Sequence, residues 1–319
     1  MTTRRKFLQN AGCGLAARAS WRLLPFLLLA AAACFGPRLG PAPGAAAPVR
    51  FGLIADLHYA DRDPAGGRMY RESTAKLAEF VETMNAEKAD FIVELGDFKD
   101  QDIQPVPVRT LSFLRTIEAV LAGFKGPRYH ALGNHDEDSL TKAEFLAAAP
   151  NTGIPPSKTY YSFDLRGVHF VVLDPNFRSD GREFSRGDFA WEDCNFPPAE
   201  LDWLQADLAA GRGPAVVFVH QQLDGEGAYY VKNAAAARRI LSDSQRVRAV
   251  FQGHRHEGGF SEIDGIAYIT LKAAGEGSGP ANNAYVLAQA APDGTVRIRG
   301  FHKLASESRT LEARRPDLR

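Results

Sequence analysis

Cysteine is scarce in this 319-residue chain: there are three, Cys13, Cys34 and Cys194. Two fall within the first 35 residues, so a disulfide scaffold is excluded, and a chain trimmed of that segment keeps no pair to bridge. Long apolar runs are also missing. No stretch reaches the roughly 18–20 residues of a spanning helix, which excludes a multi-span membrane protein. Acidic residues are absent from residues 1–47, which carry Arg4, Arg5, Lys6, Arg18, Arg22 and Arg38. The whole chain has 38 basic and 38 acidic residues; without those six cations, 32 basic face 38 acidic, a net of −6. A basic face for phosphate backbones is therefore lacking, and no nucleic-acid partner is expected. There is no internal repeat. What is present is ordinary globular composition, 45% hydrophobic and 24% charged, in a length suited to one large domain or two small ones.

The N terminus has its own organisation. A basic opening, an apolar stretch from Leu23 to Phe35 and small residues up to Pro48 form the pattern of a secretory signal. Arg4-Arg5-Lys6-Phe7-Leu8 resembles the twin-arginine type, which implies the twin-arginine export machinery as a partner and a periplasmic or extracellular destination. Ala31-Ala32-Ala33 before Cys34 reads as a cleavage site. Lipidation of Cys34 is the alternative and would tether the mature chain to a membrane. The expected layout is a signal over 1–35, a Gly/Pro/Ala-rich linker over 36–48, one domain over 49–304 and a tail over 305–319.

From Val49 onward strands and helices alternate. Apolar runs predict strands at 49–55, 90–95, 129–132, 215–220 and 247–252. Helical periodicity predicts helices at 70–88, 107–123, 199–210 and 232–242, and one at 138–149 capped by Asp138 or Ser139. A hairpin around Arg166-Gly167 joins 160–165 to 168–174, and the C-terminal part is strand-rich, at 259–263, 266–272, 284–289 and 295–302. This is an α/β domain with mixed sheets. Residues 175–199 are polar, aromatic and aperiodic, a length of loop that usually serves function.

Polar residues gather just past the predicted strand ends, where α/β sheets place ligands. Asp56-x-His58, Gly96-Asp97, Gly133-Asn134-His135-Asp136, His220 and Gly253-His254-x-His256 each close a strand, and five of the eight histidines lie among them. The donors are oxygen and imidazole with no thiolate, which suits divalent Mn, Fe or Zn. Seven ligands are too many for one ion that must also bind substrate, and suit two ions sharing a carboxylate.

These five blocks, in this order across about residues 50–302, resemble the calcineurin-like metallophosphoesterases. The resemblance implies a four-layer sandwich of two mixed β-sheets flanked by helices, two divalent metal ions, and hydrolysis of phosphate esters by metal-bridging hydroxide. It implies that Asp56, His58 and His256 hold one ion, that Asp97 bridges, and that Asn134, His220 and His254 hold the other. His135 is then a catalytic residue facing the phosphate, with Asp136 orienting it. His130, His169 and His302 read as structural.

A looser resemblance is to the manganese-dependent ADP-ribose/CDP-alcohol diphosphatases. It rests on Phe51-Gly52-Leu53-Ile54-Ala55-Asp56, Tyr70-Arg71, Trp203-Leu204, Asn233 and Gly253-His254-Arg255-His256-Glu257-Gly258-Gly259-Phe260. It implies a small phosphorylated or nucleotide-like substrate, with Tyr70, Arg71 and Asn233 as substrate-binding candidates. Residues 175–199 are then a candidate lid, in which Phe177, Arg178, Arg182, Phe184, Phe189 and Trp191 could hold a base or sugar and a phosphate. An exported phosphoesterase is the leading expectation. A nucleotide pyrophosphatase is the alternative, and a non-catalytic metal-binding scaffold is the alternative of another class. A scaffold would be expected to have lost ligands or the non-ligand histidine, and here all remain. Gly275-Glu276-Gly277-Ser278-Gly279 lacks the lysine and strand–loop–helix context of a P-loop and reads as an ordinary loop.

Overall fold

The computed structural model describes residues 46–313. The signal over 1–35, most of the linker, Cys13, Cys34 and the last six residues lie outside the described residues. Among the described residues no helix is long and apolar enough to cross a membrane.

Among the described residues twelve strands form two six-stranded sheets. In the first, β1 (Val49–Ile54), β2 (Phe91–Glu94) and β3 (Arg128–His130) run parallel. An antiparallel run of β10 (Ala284–Ala290), β11 (Val296–His302) and β12 (Arg309–Leu311) continues from β1. The second sheet has the order β4 (Tyr161–Leu165), β5 (Val168–Val172), β6 (Ala215–Phe218), β7 (Val247–Gln252), β9 (Ile266–Thr270), β8 (Gly259–Ile263). Its central strands are parallel and its two edge pairs antiparallel. The segment read as a tail thus adds a strand, β12, to the first sheet.

The sheets face each other across a phenylalanine-rich layer. Phe51, Phe91, Phe170, Phe218 and Phe251 are buried there, with ring centroids 4.9–6.5 Å apart in edge and stacked pairs. Burying each such side chain contributes about 1.5–3 kcal/mol. Helices α1 (Ser73–Ala86), α2 (Pro107–Leu121) and α3 (Lys142–Ala148) cover the first sheet through Leu77, Phe80, Leu114, Ile117 and Phe145. Helices α4 (Pro198–Ala210) and α5 (Ala234–Asp243) cover the second through Leu204, Leu208, Ala237 and Leu241. This is the expected four-layer sandwich. Because both faces of each central strand are covered, those strands read as continuous apolar runs rather than alternating ones.

One boundary differs. The helix expected from 138 begins at Lys142, capped by Thr141, whose hydroxyl accepts from Glu144 N–H while the Glu144 carboxylate accepts from Thr141 N–H. Asp138 does not cap a helix because tertiary partners take its carboxylate: Lys99 Nζ donates to one oxygen and Gln101 N–H to the other. Ser139 donates instead to Thr110.

Candidate metal centre

The parallel strands of both sheets point their C-terminal ends at one place. Asp56 and His58 follow β1, Asp97 follows β2, Asn134 follows β3, His220 follows β6, and His254 and His256 follow β7. The chain must turn sharply there. Asp56, His58, Asp97 and His254 take φ of 55°, 49°, 54° and 67°, the left-handed region that non-glycine residues seldom enter and that clusters at functional sites. Two glycines make room. A Cβ on Gly96, itself at φ 99°, would lie 2.6 Å from His220 Nδ1, and one on Gly133 would lie 2.3 Å from Asp97 N. Any side chain at either position displaces a ligand, which is the physical content of the Gly-Asp and Gly-Asn pairs.

Among the described residues four groups of side chains are close enough to share an ion: Asp56, His58 and His256; Asp97, His220 and His254; His58, Asp97 and His135; and Asp100, His135 and Asp138, of which the first two contain only sequence-predicted ligands. Asp97 Oδ2 links those two, lying 3.3 Å from His220 Nε2 and 3.7 Å from His58 Nε2. All seven sequence-predicted ligands are at this place. His58 Nε2 and His256 Nε2 approach to 3.1 Å, with Asp56 Oδ1 at 3.9 and 3.5 Å. His220 Nε2, His254 Nε2 and Asn134 Oδ1 are buried without a hydrogen-bond partner. Buried lone pairs converging without donors are costly unless a cation satisfies them, so the donor set fits two divalent ions. The electrostatics are correspondingly extreme. Burial opposes charge on His220, yet Asp97 and Asp56 push its imidazole up to about 10. Burial takes His58 down to about 3 against the pull of Asp100.

The ligands are themselves held. His220 Nδ1 donates to Leu95 O at 2.8 Å, and His256 Nδ1 to Glu276 Oε1 at 2.5 Å, so each presents Nε2 to the centre. Asp56 accepts His254 N–H. Glu94 Oε1 accepts Gly96 N–H, and its other oxygen pairs with His130, which also meets Glu118. His130 is thus part of a buried ionic chain behind the bridging loop; burial opposes its charge, but Glu118 and Glu94 push it up to about 9.

His135 stands beside the ligands at 5.0 Å from the His58 ring. Its Nδ1 lies 2.9 Å from Asp100 Oδ1, not against Asp136. Asp136 is wholly occupied by backbone, accepting the N–H groups of Asp97, Phe98 and Gly133. The expected Asp136–His135 bond is replaced by one to Asp100, because Asp136 is turned beneath the loop it braces. Asp100 also accepts His58 Nδ1 at 3.0 Å, Arg62 at 3.2 Å and Arg68 at 2.9 Å, so one carboxylate orients His58 and His135 together. Asp100 is three residues past Asp97 in Gly96-Asp97-Phe98-Lys99-Asp100. Its proximity is visible in the sequence, but its partners, 42 and 35 residues away, are not.

A cleft of about 530 Å³ opens over the centre, with Arg68, Glu276, Trp191 and Tyr229 among its lining residues. Trp191 and Tyr229 lie 5.2 Å apart, each 5.7 Å from the His254 ring. Of the substrate candidates, Tyr70 lines this cleft, with its hydroxyl bonded to Arg62. Arg71 does not: it is at the surface, paired with Asp61 and Asp63. Asn233 does not either; its amide exchanges two bonds with the Phe196 backbone at 2.9 Å and staples the 175–199 loop to α5. Within that loop Phe184 is core, Phe177 lies under Lys142, and Arg178 and Arg182 are tied to Asp188. Only Phe189, 5.6 Å from the His135 ring, and Trp191 reach the centre. The glycine-rich 275–279 loop clasps residues 67–69 by backbone bonds and supplies Glu276.

The family described as Calcineurin-like phosphoesterase matches residues 49–258. A manganese-dependent ADP-ribose/CDP-alcohol diphosphatase of Oryza sativa is 25% identical over 306 residues, spanning 82% of this chain and 94% of its own. The protein of that name from Bos taurus is 24% identical over 76% of this chain and 88% of its own. In structure, a dimetal phosphatase from Danio rerio superposes with a TM-score of 0.71 at 22% identity, covering 83% of this chain and 99% of its own. A purple acid phosphatase from Lupinus luteus shares the fold at a TM-score of 0.56 and 13% identity, over 84% of this chain and 53% of its own.

Proposed function

The chain belongs to the calcineurin-like phosphoesterase family, and from that premise we propose that it hydrolyses the phosphoanhydride bond of small, nucleotide-like diphosphates. That it is a metal-dependent phosphoric ester hydrolase with two divalent ions follows from the family, the dimetal relatives and the complete donor set. The narrower reading is carried by one observation. The centre lies at the floor of a cleft of about 530 Å³ with an aromatic wall of Trp191 and Tyr229, far larger than a phosphoryl group needs and suited to a flat ring. The names of the relatives from Oryza sativa and Bos taurus support the same substrate class.

Asp56, His58 and His256 would hold one ion, Asn134, His220 and His254 the other, and Asp97 both. Two such ions activate water and neutralise phosphoryl charge when bound. The chain's own residues do the rest. His135 directs Nε2 toward the cleft because Asp100 takes Nδ1–H, so its Nε2–H is placed to protonate the leaving oxygen. Trp191 and Tyr229 offer faces for a base or sugar, and Tyr70 and Arg68 complete the lining.

The test is hydrolysis by purified protein, stripped of metal and reloaded with Mn²⁺, on ADP-ribose, CDP-choline, p-nitrophenyl phosphate and bis-p-nitrophenyl phosphate. The diphosphates should be turned over with the higher kcat/KM, and His135→Ala should bind metal yet lose about 10²–10⁴-fold in rate. Preference for the simple esters would sink the diphosphate reading. Equal turnover by His135→Ala would remove the role of His135.

A further inference from the structure

Arg68 is the one guanidinium among the residues lining the cleft. Its position is built, not incidental. Its N–H and C=O both bond to Ala65, the following N–H of Met69 donates to Gly275 O, and Arg68 forms a bridge with Glu276. The side chain is only 20% exposed, and Nη1 donates to Asp100 Oδ2 at 2.9 Å. Nη2 lies 3.5 Å from His135 Nε2 and faces the cleft.

Asp100 has no need of this arginine. Its Oδ1 meets His58 and His135, and Oδ2 already accepts Arg62. A second, half-desolvated cation next to the histidine that serves the leaving oxygen calls for an anion on that side. A simple ester provides little there: its leaving group is an alkoxide or phenoxide, which one proton neutralises. A diphosphate provides a whole phosphoryl group, with anionic oxygens one bond beyond the bridging oxygen.

We infer that Arg68 binds the leaving phosphoryl group and makes the site selective for phosphoanhydrides over phosphate esters. This rests on the diphosphate reading above. In the reaction, a bond forms between the water oxygen and the phosphorus over the centre, and the bond from that phosphorus to the bridging oxygen breaks. The electron pair stays on the bridging oxygen, which takes the proton from His135 Nε2. One water proton remains on the new P–OH and the other restores His135. Charge on the departing phosphate is met by Nη2 while Nη1 stays on Asp100, two directions that a planar guanidinium holds at once and a single ammonium does not.

The experiment compares wild type, Arg68→Met, Arg68→Lys and Arg62→Met, all Mn²⁺-loaded, on ADP-ribose and p-nitrophenyl phosphate, with thermal unfolding to confirm the fold. A charged hydrogen bond of this kind is worth roughly 10–100-fold. Arg68→Met should lose about 100-fold in kcat/KM on ADP-ribose, and Arg68→Lys about 10-fold. The ratio of the two substrates should fall at least about 10-fold in Arg68→Met. Arg62→Met shares Asp100 but lies outside the cleft lining, so its losses should be equal on both substrates. Equal losses for Arg68→Met, or none, would overturn the inference and leave Arg68 a brace for Asp100. Absence of ADP-ribose turnover in wild type would overturn both this inference and the reading beneath it, and the wild-type assay alone shows that case.

Discussion

A single buried carboxylate, Asp100, joins four side chains from two segments: His58, Arg62 and Arg68 from the loop after β1, and His135 from beyond β3. Burial disfavours its charge, but His135 and His58 hold it well below the usual carboxylate range. It therefore acts as a fixed anion that sets the ring orientation of His58 and the Nδ1 proton of His135. Asp100→Asn keeps the shape and removes the charge. It should lower kcat about 10²-fold and weaken metal binding about 10–100-fold, read from steady-state rates and from metal content after dialysis. Unchanged rates with metal retained would show that the His135 geometry stands without it. Asp136 illustrates the opposite case. A carboxylate adjacent to His135 in the chain faces away from it, because three backbone N–H groups claim it first.

At the scale of elements, the second sheet is joined to α4 by a polar link. His169 on β5 bonds through Nδ1 to Asp164 on β4 and through Nε2 to Asp207 on α4, at 2.9 and 2.7 Å. Burial lowers the pKa of its ring, but Asp207 and Asp164 raise it above the ordinary 6.5. A folded value above the unfolded one means stability is fully present below pH 6.5 and is lost as pH rises through the folded value. His169→Gln should cost roughly 2–4 °C in Tm at pH 6 and less at pH 9. A gap that stays constant or widens with pH would refute the charged link. Local pattern was sufficient for most elements, since 3.6-residue periodicity marks α1, α2, α4 and α5. It failed at α3, where Asp138 or Ser139 was expected as the cap and Thr141 with Glu144 supplies it instead. The partners of Asp138 and Ser139, Lys99 and Thr110, come from elsewhere in the chain. The strand β12 was missed because three residues at a sheet edge carry no period of their own.

Across the whole molecule, the two sheets are held by an aromatic layer, while at one end they bring together six buried candidate ligands and the half-buried His256, and leave Asn134 Oδ1, His220 Nε2 and His254 Nε2 without partners. Ions that bind the folded state alone should stabilise it by about 2.7 kcal/mol at a concentration 100 times Kd. Mn²⁺ added to chelator-stripped protein should raise Tm by about 5 °C or more, and a melting curve insensitive to Mn²⁺ would contradict the assigned centre. The order of strand ends and the seven side chains that converge there were legible in the sequence by itself. At positions 96, 133 and 253 a Cβ would strike His220, Asp97 or Asp56, and that local steric demand leaves Gly-Asp, Gly-Asn-His and Gly-His-x-His as a written trace. Only the tertiary structure decided that Asp100 rather than Asp136 orients His135, that Glu276 holds His256, that Arg71 and Asn233 stand away from the cleft, and that Arg68, Trp191 and Tyr229 wall it. Those contacts join residues tens to hundreds of positions apart. A hydrogen bond or a ring contact formed between loops is set by how the sheets pack, which no spacing along the chain records.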